Sequence, residues 1–171
     1  MGLYGPELYK AAVLSECGSF RYHLSRGLWS AAFPPLLFIM LNPSTADAAN
    51  DDPTIRRCVG FARRMDFGSV EVVNLFAYRA TDPAALARAG WPQGPDNMRH
   101  IRAAALRVVA ARGRIVCAWG ANARGRPEAA AVIAMLRSDR NRLYALRLLR
   151  DGTPAHPLML PYTCELQELP A

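Results

Sequence analysis

The sequence predicts an α/β fold, a three-layer α/β/α sandwich on a mainly parallel central sheet, with a β-hairpin at its N-terminus. Apolar runs of strand length alternate along the chain with segments of helical character, which is the pattern of strands joined by helical crossovers. Three of the runs, 35–41, 69–75 and 114–119, end abruptly in small or polar residues, as buried parallel strands do where they open into loops. A chain of 171 residues suits one domain, so we take residues 1–171 as a single α/β domain.

The first part of the chain supplies a hairpin, a strand and a helix. Residues 11–30 alternate apolar and polar side chains around Cys17-Gly18-Ser19, which predicts a β-hairpin that covers a sheet edge or forms a small sheet of its own. The run 35–41 is the first buried strand. A helix over 52–65 follows, because Asp52 can act as N-cap and Pro53 suits the first helical position.

The rest of the chain repeats the alternation of strand and helix. After the strand at 69–75, Asp96 or Asn97 can cap a long helix. The predicted elements of this part are a short helix over 83–90, the long helix over 97–112, a third strand over 114–119, a helix over 126–138 and a fourth strand over 143–148.

Composition restricts the class of protein. The longest apolar run, 31–41, is interrupted by prolines and is too short to cross a bilayer. The N-terminal segment lacks the basic and apolar pattern of a signal peptide. We therefore expect a cytoplasmic monomer without a membrane partner. The four cysteines are scattered without metal-type spacing, so we expect neither a metal nor another cofactor.

The net charge of +7 and the pI of about 9.7 permit binding to nucleic acid through phosphate contacts. Arginine supplies nearly all of the positive charge, since Lys10 is the only lysine. The arginines are spread along the chain, so charge alone leaves two kinds of partner open. One is a nucleic acid, DNA or RNA, and the other is a small molecule, such as one that contains a nucleobase.

Polar residues follow the ends of the predicted strands. Asn42 follows the first strand, Asn74 ends the second, and Trp119-Gly120 closes the third, while His156 lies between two prolines near the C-terminus. Ligands bind outside the carboxyl ends of the strands in open α/β sheets. We therefore expect these residues to converge on one pocket.

The loop after the first strand begins Asn42-Pro43-Ser44 and has two interpretations. The Asn42 side chain can hold a water or a substrate amide, because it carries both a donor and an acceptor. Proline stiffens such a loop, and Ser44 adds a hydroxyl. The same residue types also form ordinary turns.

Three aspartates, Asp47, Asp51 and Asp52, cluster where the first helix is predicted to begin. They could bind magnesium, provide a general base or cap the helix, and capping is sufficient for Asp52. Arg56 and Arg57 follow within the helix and could pair with these aspartates or contact phosphate. A further candidate for a phosphate contact, behind the second strand, is Arg79.

The second strand carries the candidates for base recognition. A buried amide such as Asn74 must find partners or cost a few kcal/mol, and its side chain can pair with the edge of a nucleobase. Phe76 or Tyr78 could stack on the base or pack in the core.

The candidate residues after the third strand and near the C-terminus also have two interpretations each. Trp119 could be a platform for a ligand or a core residue, and Gly120 permits close approach of a ligand or of another backbone segment. His156 could donate a hydrogen bond to developing negative charge or lie on the surface without a role.

The strings MLNPSTAD, DDPTIRRC, NLFAYRAT, WG and HPL resemble a bacterial and phage family catalogued as a domain of unknown function, family number 1643, over most of the chain. The order LNPS, NL, WGxxA and HPL is also similar to the uracil-DNA glycosylase superfamily. This second resemblance implies a uracil-DNA glycosylase-like fold and DNA as the partner.

The resemblance to the glycosylases implies roles for individual residues. Asn42 matches the residue that positions the attacking water, Asn74 the reader of the base, and His156 the histidine of the HPS-type loop. Leu158 stands where the superfamily has serine, and the string DDPTIRRC has no counterpart there.

Three hypotheses follow. The first is a monofunctional DNA glycosylase-like hydrolase, of the kind that acts in DNA repair, in which Asn42 positions water with help from Asp47 or Asp51. The second is a binding module that holds a nucleotide or nucleic acid without cleaving it. The third is a metal-dependent nuclease or phosphoesterase built on the three clustered aspartates.

Overall fold

A computed structural model describes residues 8–170, apart from the side chain of Pro83. Its strands are β1 (Tyr9–Leu14), β2 (Arg21–Gly27), β3 (Pro35–Met40), β4 (Ser69–Asn74), β5 (Arg114–Cys117), β6 (Leu143–Ala145) and β7 (Gln167–Glu168). Its helices are α1 (Pro53–Arg64), α2 (Pro83–Arg88), α3 (Asn97–Ala110) and α4 (Pro127–Ser138). Two short 3₁₀ turns cover Ala121–Ala123 and Pro157–Met159.

The strands form one mixed sheet in the order β1-β2-β4-β3-β5-β6-β7. The pairs β3–β4, β3–β5 and β5–β6 are parallel. The pairs β1–β2, β2–β4 and β6–β7 are antiparallel. The predicted α/β class is confirmed, but a mainly parallel sheet is not.

The antiparallel pairs have two origins. The N-terminal hairpin does not form a separate sheet, because β2 pairs with β4 and extends the edge of the central sheet. At the other edge the two-residue strand β7 pairs with β6. A two-residue strand has no periodicity to read, and the sequence prediction missed it. The predicted fourth strand, 143–148, is also shorter, since regular pairing stops at Ala145.

Helices cover both faces of the sheet. Alternate side chains of β3 point to opposite sides, so that Phe38 joins a core cluster with Phe61 of α1, and Ile39 joins another with Ile101 of α3. Helix α4 contributes Val132 to this second cluster. Burial on both faces is the reason that β3 reads as a continuous apolar run. Of the helices in residues 8–170, none has the length and apolarity needed to cross a membrane.

The four parallel strands determine where a site can form. Their order across the sheet is β4-β3-β5-β6. The chain leads from β3 to β4 on one side and later continues with β5 and β6 on the other side, so the connections diverge between β3 and β5. In doubly wound sheets this point of divergence opens a crevice at the carboxyl ends of the strands. Helix α1 begins at that end of the sheet, with Asp52 as its N-cap and Pro53 in its first turn, as predicted.

Candidate functional site

A cavity of about 420 Å³ lies at the carboxyl ends of β3 and β5. The polar residues that line it include Asn42, Ser44, Asp52, Asn122 and His156. A larger cavity of about 560 Å³ lies at the opposite end of the sheet, against Pro35 and Ser69, where strands begin. Because ligands of open α/β sheets bind at the carboxyl ends, we assign the smaller cavity as the candidate site.

Asn42 lies two residues beyond β3 and connects two loops. Its Nδ2 donates to the carbonyl oxygen of Ala80 at 2.8 Å and to that of Pro43 at 3.1 Å. The Ala80 backbone N–H donates in turn to the Pro43 carbonyl at 2.9 Å. Both amide donors of Asn42 are thus engaged, and its Oδ1 is the atom left to accept a hydrogen bond from a water or a ligand.

His156 also lines the cavity and has a defined tautomer. Its Nδ1 accepts a hydrogen bond from the backbone N–H of Leu158 at 3.3 Å, so the proton of the neutral ring is on Nε2. Burial lowers the pKa of His156, and the charge of Asp52 opposes this effect. The ring is therefore neutral at pH 7 and presents Nε2–H as a donor.

Gly120 allows the His156 loop to approach β5. Gly120 has a φ of 79°, and a Cβ atom added to it would lie 2.9 Å from the Cβ of His156. Its backbone N–H donates to the Pro154 carbonyl at 2.9 Å. The preceding residue, Trp119, is 3% exposed and both lines the cavity and packs in the core, so the two interpretations of Trp119 are compatible.

Asp52 is the acidic side chain among the described residues that line the cavity. Its Oδ1 accepts the Ile55 backbone N–H at 2.8 Å as the N-cap of α1. The sequence interpretation included Asp52 in the cluster that could bind magnesium or provide a general base, and regarded capping as sufficient to explain it. The signal for a second role was its position, since α1 begins at the end of the sheet where the site was expected.

Asn74 is placed differently from Asn42. It is 1% exposed, and of the described residues it is not among those that line the cavity. Its Cα is paired with that of Met40, inside the sheet. Neither Nδ2 nor Oδ1 of Asn74 has a hydrogen-bond partner within residues 8–170. This arrangement is costly for a buried amide.

The other aromatic candidates lie away from the cavity. Phe76 is fully buried and packs on Trp91 with ring centroids 5.2 Å apart. Tyr78 is half-buried and meets Phe20 edge-on at 6.1 Å. The structure does not bring either ring to the cavity, because the chain after β4 turns back toward the hairpin.

The three arginines considered as phosphate contacts bind backbone carbonyls. Arg56 donates to the Asp51 carbonyl at 2.5 Å and Arg79 to the Gly18 carbonyl at 3.3 Å. Arg57 donates to the Leu160 carbonyl and lies 3.8 Å from the ring centroid of Tyr162. Arg57 therefore connects α1 with the C-terminal segment through its contacts with Leu160 and Tyr162.

The clustered aspartates have different hydrogen-bond and ion-pair partners. Asp47 accepts the backbone N–H groups of Ala49 and Asn50, each at 2.8 Å, which lowers its pKa. Asp51 pairs with Arg26 at 2.7 Å. Neither lines the cavity in the part of the chain that the structure describes. Across residues 8–170, no group of three or more histidine, cysteine, aspartate or glutamate side chains is arranged to hold a metal.

Two buried arginines of β2 hold the loop that carries the site. The Arg26 side chain is fully buried and donates to the Asp47 carbonyl at 2.6 Å as well as to Asp51. Arg21, 2% exposed, donates to the Ala46 carbonyl at 2.6 Å. This anchoring was not predicted from the sequence, because both arginines lie in the alternating pattern of the hairpin.

The remaining lining residues were missed by sequence reasoning. Asn122 lies two residues after the WG pair and five residues past the end of β5, and this place in the loop behind the strand was the available signal. Hydroxyl groups of Thr45, Thr54 and Thr81 complete the lining.

Comparison with known families gives a classification. The family model described as "Protein of unknown function (DUF1643)" matches residues 21–158. The chain belongs to this family. The match runs from β2 to the loop of His156, so the candidate cavity lies within the DUF1643 region. No curated protein and no solved structure matches the chain.

Proposed function

We propose that this DUF1643 protein is a monofunctional nucleobase glycosylase that hydrolyses the N-glycosidic bond of a flipped, damaged or modified base in DNA. One observation carries the proposal: Asn42, Trp119 and the Nε2–H of His156 share one cavity at the carboxyl ends of the parallel strands. Its volume of about 420 Å³ is within the usual range of small-molecule sites.

These groups suit base excision. A base that leaves with the electrons of the glycosidic bond develops negative charge, and a neutral histidine donor stabilises that charge without having to lose a proton. The Asn42 Oδ1 can orient a water for attack on the sugar carbon. Trp119 gives the cavity an apolar wall against which a base can lie.

The rim of the cavity supports a nucleic-acid partner over a free nucleoside. Leu158 lies at the rim, and the adjacent Met159 is 87% exposed. The 3₁₀ turn that contains Leu158 and Met159 is stabilised by Pro157 and by the hydrogen bond from the Leu158 N–H to His156. Apolar side chains held in this way can enter the space that a flipped base leaves in the stack, although the phosphate-contacting serine of the HPS-type loop is replaced by Leu158.

A non-catalytic binding module is the second candidate, and one observation favours it. Asn74, the residue expected to recognise the base, is buried and is not among the described residues that line the cavity. A ligand held by Asn42 and His156 alone would have fewer specific contacts. The metal-dependent alternative lacks a corresponding observation, because Asp47, Asp51 and Asp52 are engaged separately.

Product analysis tests the proposal. Single- and double-stranded oligonucleotides carrying uracil, hypoxanthine or alkylated bases are incubated with the protein, and free base and alkali-labile sites are measured. We expect base release from at least one substrate, an intact abasic strand and a loss of about a hundredfold in His156→Gln. His100→Gln, on helix α3, is the matched control and retains activity. Binding without base release would support the binding module instead. The absence of both binding and base release would contradict the proposal.

The scarcity of lysine tests the monofunctional character. Glycosylases that also cut the strand form a Schiff base through an amine, and Lys10 is the only lysine. Lys10 pairs with Asp51, with 3.5 Å between Nζ and Oδ2, and is not among the lining residues described. Lys10→Ala should release base at the wild-type rate, and borohydride should trap no protein–DNA adduct. A trapped adduct would contradict the monofunctional mechanism.

A further inference from the structure

The Asp52 carboxylate has one oxygen engaged and one available. Oδ1 is fixed by the Ile55 N–H at 2.8 Å, and within residues 8–170 nothing donates to Oδ2. The side chain lines the cavity although the residue is only 9% exposed. A carboxylate in this position keeps a fixed direction toward the cavity, because the helix cap and Pro53 restrict both its side chain and its backbone.

The charge of Asp52 acts on three titratable groups, Arg21, His156 and Cys58. Arg21 of β2 is buried, and the charge of Asp52 raises its pKa against the larger effect of burial, which leaves a value of about 10. His156 lies on the cavity side and feels the same charge. The third neighbour is the buried thiol of Cys58 in α1, whose pKa is raised by burial and then by Asp52. The charge of Asp52 thus acts both on a buried guanidinium and on the proposed donor to the leaving base, which lines the same cavity.

Asn42 cannot supply the base that hydrolysis needs. Its Nδ2 is occupied by the Ala80 and Pro43 carbonyls, and an amide oxygen orients a water without taking its proton. A side chain that accepts the proton commonly contributes a factor of 10² to 10⁴ in rate. Among the described residues that line the cavity, Asp52 is the one with a carboxylate that can accept this proton.

We propose that Asp52 is the carboxylate that activates the attacking water, which rests on the glycosylase function proposed above. The water oxygen forms a bond to C1′ of the sugar while the C1′–N bond breaks and its electron pair moves to the base. One proton of the water passes to Asp52 Oδ2. The leaving base, stabilised by His156 Nε2–H, takes up a proton from solvent, and Asp52 returns its proton to solvent. The products are the free base and the abasic sugar.

Asp82 provides a matched comparison, because it caps a helix in the same way but outside the cavity. Its Oδ1 accepts the Ala84 N–H at 2.9 Å, and a proline follows it as at Asp52. Its side chain is 56% exposed and pairs loosely with Arg88. Asparagine caps helices about as well as aspartate, so Asp52→Asn and Asp82→Asn remove a charge from each cap while keeping the cap itself.

The test compares base release and folding in these variants. We expect Asp52→Asn to lose about a hundredfold or more in the rate of base release and to lose the acidic limb of the pH–rate profile. Asp82→Asn should match the wild type in both. Circular dichroism and thermal melting should show both variants folded, and Asp52→Ser, which also caps, is the second variant if Asp52→Asn does not fold.

Two negative outcomes are distinguishable. An active wild type with Asp52→Asn within threefold of it overturns the role of Asp52 and leaves the proposed function standing. A wild type that is inert on every substrate overturns the proposed function and the role of Asp52 together. A readout independent of activity is the His156 titration by NMR. It should move to lower pH in Asp52→Asn, and an unchanged titration would overturn the placement of Asp52 beside His156.

Discussion

Gly120 and His156 touch across the site: a Cβ atom on Gly120 would lie 2.9 Å from the Cβ of His156. Gly120 follows Trp119 in the segment just after β5, and His156 comes from the C-terminal loop. The contact is therefore the point at which the His156 loop is placed against the sheet. It depends on the missing side chain and on a backbone φ of 79° that other residues rarely adopt.

Gly120→Ala should destabilise the protein and displace His156. A positive φ in a residue with a side chain costs about 1–3 kcal/mol, and the clash with the His156 Cβ adds to this cost. Gly152→Ala is the control, because Gly152 has a φ of 81° and nothing within 4 Å of the added atom. Urea unfolding should show a larger loss of stability for Gly120→Ala. Equal losses would mean that the contact with His156 has no energetic weight.

Arg26 should be among the side chains most important for stability. Arg26→Met leaves the Asp51 carboxylate and the Asp47 carbonyl without their buried partner, which should cost about 3–5 kcal/mol. Arg88→Met removes an exposed arginine, 72% accessible and 3.7 Å from Asp82, and should change the free energy of unfolding by less than about 0.5 kcal/mol. Similar values for the two variants would contradict the anchoring of the loop by β2.

Protonation of His156 should weaken the fold at mildly acidic pH. Burial lowers its pKa below the ordinary 6.5, so the unfolded chain binds the proton more readily than the folded chain. The stabilising contribution is therefore complete above about pH 6.5 and is lost as the pH falls through the folded-state pKa.

Urea unfolding between pH 5 and 7.5 measures this dependence. It should be shallower in His156→Gln than in the wild type. Burial also lowers the pKa of His100, so His100→Gln is needed to separate the two contributions. An NMR titration that puts His156 at or above 6.5 would contradict the prediction.

Cys17 should be the most reactive thiol. Hydrogen bonds from Ser15 and Ser19 lower its pKa to about 7, and the side chain is exposed at the hairpin turn. Cys58 and Cys117 are buried, which raises the pKa of each. Since the thiolate is the nucleophile, iodoacetamide at pH 7.5 should label Cys17 first, as read by mass spectrometry of the peptides.

Ser15→Ala provides the control for Cys17. It removes the side-chain hydrogen bond to Cys17, which measures 3.3 Å, and should slow the labelling at neutral pH. Labelling of Cys58 or Cys117 at a comparable rate in the folded protein would contradict their burial in the two core clusters.

Local sequence was sufficient for much of the fold and part of the site. The cap of α1 by Asp52, the proline behind it and the apolar run of β3 are determined by residues adjacent in the chain, and each was predicted within a residue or two. The strand-end rule predicted that Asn42, Asn74, Trp119-Gly120 and His156 would share one pocket, and all of them except Asn74 line the cavity.

Only the tertiary structure decided which polar side chains reach the cavity and which do not. Asn42 and Asn74 both follow apolar runs, yet Asn74 is the last residue of β4 and pairs with Met40 inside the sheet, while Asn42 lies two residues beyond the end of β3. Whether Arg26 would meet solvent, phosphate or a loop carbonyl depended on the pairing of β2 with β4. Such contacts join residues distant in the chain, and their geometry is determined by packing rather than by the pattern of neighbouring residues.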